Sequence, residues 1–232
     1  AMLLSGGTDL GLSISKDRVV PENVIYTGHV VELREIVETK EELILGAAVT
    51  YTEALSYIKR LFPSFEELIR RIGSRQIRNL GTVGGNIGNA SPIGDTLPCL
   101  ISLDASLTLA SVEGEREVPI EDFFVGYRET CLNANEVIKK IKIPTLLDNQ
   151  MFRTYKVSKR YDQDISSVIG AYRLTIENSR VTSARVAYGG LAPKPCRAKI
   201  TESSIEGNGI DEDQFIESSK QISLDFHPIS DH

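Results

Sequence analysis

The stretch NLGTVGGNIGNASPIGDTLP, Asn79–Pro98, holds five glycines in twenty residues and a single charge, Asp95. Gly84-Gly85-Asn86 lets the backbone approach a ligand closely, and Ser91 and Asp95 bring polar groups alongside. A solvated surface loop would carry Lys and Glu, and this segment is free of both. Long structureless loops inside compact domains are usually functional. Asn79–Pro98 therefore reads as a long loop shaped to a cofactor rather than to water.

A second glycine segment opens the chain. In LLSGGTDLG, Leu3–Gly11, a short apolar strand runs into Gly6-Gly7-Thr8-Asp9. Consecutive N–H groups without side chains form a nest that suits an anion such as phosphate, and Thr8 could add a hydroxyl donor. A tight turn needing positive φ is the plainer alternative. The pattern is neither G-x-x-x-x-G-K-[ST] nor G-x-G-x-x-G.

Between the two lie a strand, ELILGAAV (Glu42–Val49), and two helices. Thr50-x-x-Glu53 is a capping box ahead of ALSYIKRLF, which Pro63 stops. Ser64-x-x-Glu67 starts FEELIRRI, with Arg70 and Arg71 in its last turn and Gly73 as its cap. Downstream, Ser106–Ala110 and Arg116–Val118 read as strands about the turn Glu113-Gly114. Val137–Ile143 is a half-exposed strand ended by Pro144. Composition shifts at TLLDNQ, Thr145–Gln150, the best internal boundary. Beyond it, Phe152–Ser158, Ala171–Glu177 and Val181–Tyr188 form a strand meander with a turn at Asn178-Ser179. Helices are expected near Ala198–Ser204 and Asp211–Lys220. The order is α+β rather than alternating βαβ.

Composition narrows the chemistry. The 232 residues suffice for one large domain or two small ones, with 41% hydrophobic and 25% charged residues. A net charge of −6 argues against general nucleic-acid binding. No apolar run approaches the ~20 residues of a membrane helix. Three distant cysteines, Cys99, Cys131 and Cys196, make neither a disulfide framework nor the four ligands of an iron–sulfur cluster. The three histidines have no metal-ligand spacing. No Ser–His–Asp or Cys–His arrangement is supported. In YKVSKRYDQDIS, Tyr155–Ser166, the charges Lys156, Lys159 and Arg160 against Asp162 and Asp164 read as exposed ion pairs of little energetic value. Two anion-friendly glycine loops without a nucleophile describe a cofactor holder, with the cytoplasm as the default location.

IGSRQIRNLGTVGGNIGNASPIGDTLPCLISLDASLTL, Ile72–Leu109, resembles the FAD-binding subunit or domain of the molybdenum hydroxylases. LLSGGTDLG looks like that family's first flavin loop and VGGNIGNASPIGD like its second. DFFVGYRET (Asp122–Thr130), EVIKKIKIP, RTYKVSKRYDQDISSV and VAYGGLAPKPCRA (Val186–Ala198) match further segments in the right order. Asn86 and Ala90-Ser91-Pro92-Ile93 resemble xanthine dehydrogenase most; carbon monoxide dehydrogenase subunits more often carry His where Gly7-Thr8 stand.

The resemblance implies a two-part FAD-binding domain of the p-cresol methylhydroxylase type over residues 1–144. A small flavoprotein C-terminal domain of antiparallel sheet plus helices would occupy 151–232. Leu3, Leu4, Ser5, Gly6, Gly7, Thr8, Asp9 and Leu10 would wrap the FAD pyrophosphate, completed by Thr82, Gly84, Gly85 and Asn86. Asp95 would meet the ribityl or adenosine side, Ser91 would belong to the same cofactor site, and Ile138 would pack near the adenine. Lys156 would approach the flavin ring and stabilise negative charge on its reduced form. Arg128 would belong to the isoalloxazine loop. Ile72 would lie against the cofactor, where the mammalian enzymes have phenylalanine.

The implied role is electron transfer, from 2Fe–2S clusters through FAD to NAD, in a xanthine dehydrogenase-like complex. The molybdenum cofactor and the clusters would sit on partner domains or subunits. The alternatives are the medium subunit of a carbon monoxide dehydrogenase or of another heterocycle or aldehyde hydroxylase, a non-catalytic FAD module, and an unrelated scaffold with structural glycines. The resemblance also implies that a β-α-β stretch is missing ahead of the first loop and that HPISDH, His227–His232, is a truncation point.

Overall fold

A computed structural model of the protein describes residues 1–228; the end of the expected truncation point, 229–232, lies outside the described residues. The architecture is α+β. Strands β1 (Met2–Leu4) and β2 (Val24–Tyr26) form a parallel pair joined through helix α1 (Leu10–Ser15). Strands β3 (Ile36–Glu38) and β4 (Glu42–Gly46) follow, then helices α2 (Tyr51–Leu61), α3 (Pro63–Arg70), α4 (Arg75–Leu80), α5 (Val83–Asn89) and α6 (Leu97–Ser102). Next come β5 (Ser106–Ser111), β6 (Gly114–Pro119), α7 (Ile120–Phe123), β7 (Phe124–Gly126), β8 (Glu129–Thr130) and β9 (Val137–Pro144). The last part is β10 (Gln150–Val157), β11 (Val168–Glu177), β12 (Arg180–Gly189), β13 (Cys196–Arg197), α8 (Lys199–Ile205), α9 (Glu212–Ser219) and α10 (Ile222–Asp225). None of these helices is long and apolar enough to cross a membrane.

Five strands form one antiparallel sheet in the order β3-β4-β9-β5-β6, and four form another in the order β10-β11-β12-β13. Leu43, Leu45, Leu107, Leu109, Ile141 and Ile143 alternate inward from the first sheet and bury against the helical layer. Its other face carries cross-strand ion pairs, Lys142–Glu117 and Lys139–Glu115. The turn expected at Asn178-Ser179 is present, and both residues have positive φ, 49° and 60°, as a two-residue type I′ hairpin requires.

Local chemistry explains the helix boundaries. Thr50 and Glu53 form the expected capping box at α2. Pro63 both ends α2 and occupies the first turn of α3, where its missing N–H is harmless. The expected start of α3 at Ser64 is corrected: Phe62 takes the cap position, and the Ser64 hydroxyl instead accepts from Thr154 N–H at 2.8 Å, tying α3 to β10.

The expected structureless loop is also corrected. Asn79–Pro98 contains the end of α4, all of α5 and the start of α6. Glycine disfavours helix by about 1 kcal/mol per residue relative to alanine, yet α5 holds Gly84, Gly85 and Gly88. Tertiary packing accounts for it. The Thr82 side chain caps Gly85 N–H, and a Cβ on Gly84 would stand 2.5 Å from Ala47 Cβ, so only glycine lets α5 lie this close to the end of β4.

The helix α6 joins the two sheets. All six of its residues are buried, and it packs against β11, β12 and β13. Ala171 and Ala187, facing it, are small enough to admit it, and one continuous core includes them with Phe152, Ile169, Leu100 and Ile101. Arg173 and Arg185 reach the carbonyls at the end of α6, donating to Leu103 O and Ile101 O at 3.2 Å each. The opposite face of the second sheet packs on α8 through Val181, Ala184 and Val186.

That opposite face also carries an aromatic row, Tyr155, Tyr172, Tyr188 and Phe226, with centroid spacings of 5.9, 5.8 and 5.7 Å. Tyr172 lies over Gly170, where a Cβ would meet its hydroxyl at 2.6 Å, and the two phenols share a 2.8 Å hydrogen bond. Gly170→Ala is expected to lift Tyr172 from Tyr188 and lower stability by about 1–2 kcal/mol in urea unfolding. An unchanged midpoint would show that the ring finds an equivalent seat.

Candidate cofactor-binding cleft

A cleft of about 560 Å3 opens between the β1–α1 loop, the end of β4, α4–α5 and the start of β9. That size is within the range of small-molecule sites, roughly 300–1,000 Å3. Of the residues the sequence singles out, Leu3, Leu4, Ser5, Gly6, Gly7, Thr8, Asp9, Leu10, Ile72, Thr82, Gly84, Gly85, Asn86 and Ile138 line it. Ser91, Asp95, Arg128 and Lys156 do not. A smaller recess of about 250 Å3 lies beyond Ser5, Gly6 and Thr82, bordered by the Arg34–Glu53 ion pair.

The two glycine segments meet because of close backbone contact. A Cβ on Gly6 would stand 1.9 Å from Leu80 O, so the first loop rests directly on the end of α4. Gly7 then turns with φ +71°. Ile138 reaches the cleft through a β-bulge: Thr108 pairs with Lys140 but Leu109 pairs with Ile138, leaving Lys139 extra. The bulge restores Ile138 to the same side as Ile141 and Ile143, and such bulges commonly re-aim side chains near sites. The doublet Lys139-Lys140 in VIKKIKIP is the sequence signal for it.

The walls differ in hydrogen-bonding capacity. Among the described residues, nothing accepts from the N–H groups of Gly6, Gly7, Thr8 or Asp9, and all four residues line the cleft. In the second segment, the donors expected from the glycines are already engaged. Val83 N–H donates to Val49 O, Gly84 N–H to Ala47 O, Gly85 N–H to the Thr82 hydroxyl and Asn86 N–H to Thr82 O. The glycines here serve backbone packing, and beside Asn89 this wall brings to the cleft the polar side chain of Asn86. Its Oδ1 accepts from the Thr96 hydroxyl at 2.7 Å. Two hydroxyls at the cleft, Ser5 Oγ and Tyr51 Oη, are buried without a hydrogen-bond partner.

Asp95 and Lys156 form a buried pair behind the cleft. Lys156 Nζ donates to Asp95 Oδ2 at 2.6 Å, and the Ser166 hydroxyl donates to Asp95 Oδ1 at 2.6 Å. The side chains are 3% and 11% exposed. Lys156 as an exposed charge is thus corrected: it alternates inward on β10 beside Phe152 and Thr154, and a buried ammonium needs a partner. Arg160–Asp164 remains an exposed pair, as expected. Arg71 fixes the turn after β10, donating to Lys156 O at 2.8 Å and Tyr161 O at 3.0 Å, its guanidinium 4.7 Å from the Tyr161 ring centre. Ile72, next in sequence, is thereby held at the cleft. Arg128 is exposed at the β7–β8 turn with φ +55°. Ser91 lies in the turn after α5, its carbonyl accepting from Gly94 N–H.

Sequence reasoning missed Tyr51, Leu132, Val137 and Asn89 at the cleft. Tyr51 follows directly on the Thr50 cap, so a helix start facing a glycine segment was the available signal. Burial pushes the Tyr51 phenol well above its ordinary pKa, with the Thr96 hydroxyl opposing that rise.

Residues 1–146 match the model of the FAD binding domain in molybdopterin dehydrogenase, and 153–232 that of the CO dehydrogenase flavoprotein C-terminal domain. The chain is 32% identical to a xanthine dehydrogenase of Emericella nidulans, over 89% of this chain and 16% of that one. It therefore spans about a sixth of that relative's length. It is 31% identical to the glyceraldehyde dehydrogenase medium chain of Sulfolobus acidocaldarius, covering 99% of this chain and 82% of that one. The carbon monoxide dehydrogenase structure from Hydrogenophaga pseudoflava superposes with a TM-score of 0.92 at 26% identity, over 99% of this chain and 80% of that one.

Proposed function

The chain belongs to the family of FAD binding domains in molybdopterin dehydrogenases, and from that premise we propose that it is the flavin-carrying electron-transfer component of a xanthine dehydrogenase-like molybdenum hydroxylase. It would take electrons from 2Fe–2S clusters and pass them to NAD, in the cytoplasm. A molybdenum-cofactor subunit and a 2Fe–2S domain or subunit are its partners in this reading. The observation that carries it is the run Gly6–Asp9, which lines a cleft of small-molecule size with four N–H groups that have no acceptor among the described residues.

The residues present fit FAD. Free backbone donors suit a pyrophosphate, and the unpartnered Ser5 hydroxyl leaves polar capacity for a ligand. Bound FAD would supply a carrier that accepts an electron pair and releases it to a separate acceptor. Gly6–Asp9 would hold the pyrophosphate, Asn86 would donate from the opposite wall, and Ile72 and Ile138 would exclude water with apolar surface. Ile72 offers no aromatic face, so ring stacking is not part of its contribution. The Asp95–Lys156 pair would tie the start of α6 to β10.

A second reading is the medium flavoprotein subunit of a carbon monoxide dehydrogenase or of another heterocycle or aldehyde hydroxylase. The match of 153–232 to the CO dehydrogenase flavoprotein C-terminal domain and the similarity to the glyceraldehyde dehydrogenase medium chain favour it. Anaerobic NADH separates the two. The first reading expects NADH to bleach the yellow band of the FAD-loaded chain. A flavin that dithionite bleaches and NADH does not would reject NAD as the acceptor and favour the second.

A further inference from the structure

Thr96 occupies the N-cap of α6, yet its side chain makes no cap hydrogen bond. Thr50, Ser74, Thr82 and Asp211, at the caps of α2, α4, α5 and α9, all accept from their own helix. A cap bond contributes typically about 1 kcal/mol, so its absence at a fully buried threonine asks for a reason. The Thr96 hydroxyl donates instead to Asn86 Oδ1, ten residues earlier, at 2.7 Å. Thr96 itself does not line the cleft; Asn86 does.

The direction of that bond matters. A primary amide presents an acceptor on one side and two donors on the other, and which side faces out depends on its hydrogen-bond network. With Oδ1 held by Thr96, Nδ2 is left without an acceptor among the described residues and is available to the cleft. Thr96 could instead accept from Nδ2, which would turn Oδ1 outward. In the structure the Thr96 hydroxyl is the donor and Asn86 Oδ1 the acceptor, which selects the first of the two arrangements.

We infer that Thr96 is a positioning residue for the cofactor: it locks the Asn86 side chain with its amide nitrogen outward, as a donor this wall presents to the anionic part of FAD. The inference rests on the FAD reading above. It explains how the α5 wall contributes a donor when its backbone N–H groups are all engaged. It also links the cofactor wall to α6, the helix on which the second sheet rests.

The test is FAD affinity of the deflavinated chain by fluorescence titration, with the thermal midpoint of each apo-protein measured alongside. Hydrogen bonds to charged groups suggest that Thr96→Val binds FAD roughly ten- to a hundredfold more weakly, while Thr96→Ser stays within about threefold of wild type. In an Asn86→Ala background, Thr96→Val should weaken binding no further, because it acts through Asn86. Thr96→Val with wild-type affinity, or the same loss with and without Asn86, overturns the inference. Should Thr96→Val not fold, Thr96→Ala against Thr96→Ser decides, and equal FAD affinity in the two overturns the inference. A wild-type chain that takes up no FAD overturns the FAD reading itself, and the relay with it.

Discussion

Asp95→Ala is expected to lower stability by about 3–5 kcal/mol, the usual consequence of leaving one partner of a buried ion pair alone. Lys156 is 3% exposed, and without the carboxylate its ammonium would keep only the Arg71 carbonyl at 3.4 Å. The buried Ser166 hydroxyl would lose its acceptor as well. For a chain of this size the thermal midpoint falls by roughly 2–4 °C per kcal/mol. Combining Asp95→Asn with Lys156→Met removes both charges and keeps an acceptor for Ser166, so most of the loss should return. Equilibrium urea unfolding of the three proteins reads this out. A single Asp95→Ala variant within about 0.5 kcal/mol of wild type would mean that water or movement of β10 solvates Lys156, contrary to a packed contact.

Gly6→Val is expected to be nearly as damaging and also to abolish cofactor uptake. Its Cβ would overlap Leu80 O at 1.9 Å, and that atom is backbone, not the tip of a flexible side chain. Overpacking of this kind costs about 1–3 kcal/mol and sometimes more. Relief requires the β1–α1 loop to leave the end of α4, which moves the free N–H groups of Gly6–Asp9 out of line. Gly11→Val is the control, because nothing lies within 4 Å of a Cβ there. Loss of both stability and FAD affinity in the first, with neither in the second, ties the cleft wall to the Gly6 contact. Retention of FAD affinity by Gly6→Val would show that the loop's donors are not what holds the cofactor.

Much of this was legible in the residues. The capping box at Thr50–Glu53, the strand ends at Gly6-Gly7 and Pro144, and the hairpin at Asn178-Ser179 depend on neighbours in sequence. The pairing of the two glycine segments was legible only through their likeness to a known family, since no local rule joins residue 6 to residue 80. The helix α5 was hidden because glycine content reads as loop, while its stability comes from Thr82, Ala47 and Val49. Lys156 was misread for the same reason: its partner is 61 residues away. A charge in an alternating strand declares which face it is on, but not whether that face meets water or a carboxylate. The bulge at Lys139 was written in a broken alternation and could have been read. The sites off the cleft lining, Ser91, Asp95, Arg128 and Lys156, mark where likeness to a family and the geometry of this chain have to be joined by experiment.

The central claim is that this chain holds FAD through the wall from Leu3 to Leu10 and the facing Asn86. Its most direct test is titration of the deflavinated chain with FAD, followed by amide hydrogen exchange with and without the cofactor. Saturable one-to-one uptake, with slowed exchange at Gly6, Gly7, Thr8 and Asp9, is the predicted result, because those N–H groups have no acceptor until the cofactor provides one. Uptake that leaves exchange at these four residues unchanged, or no uptake at all, would contradict it.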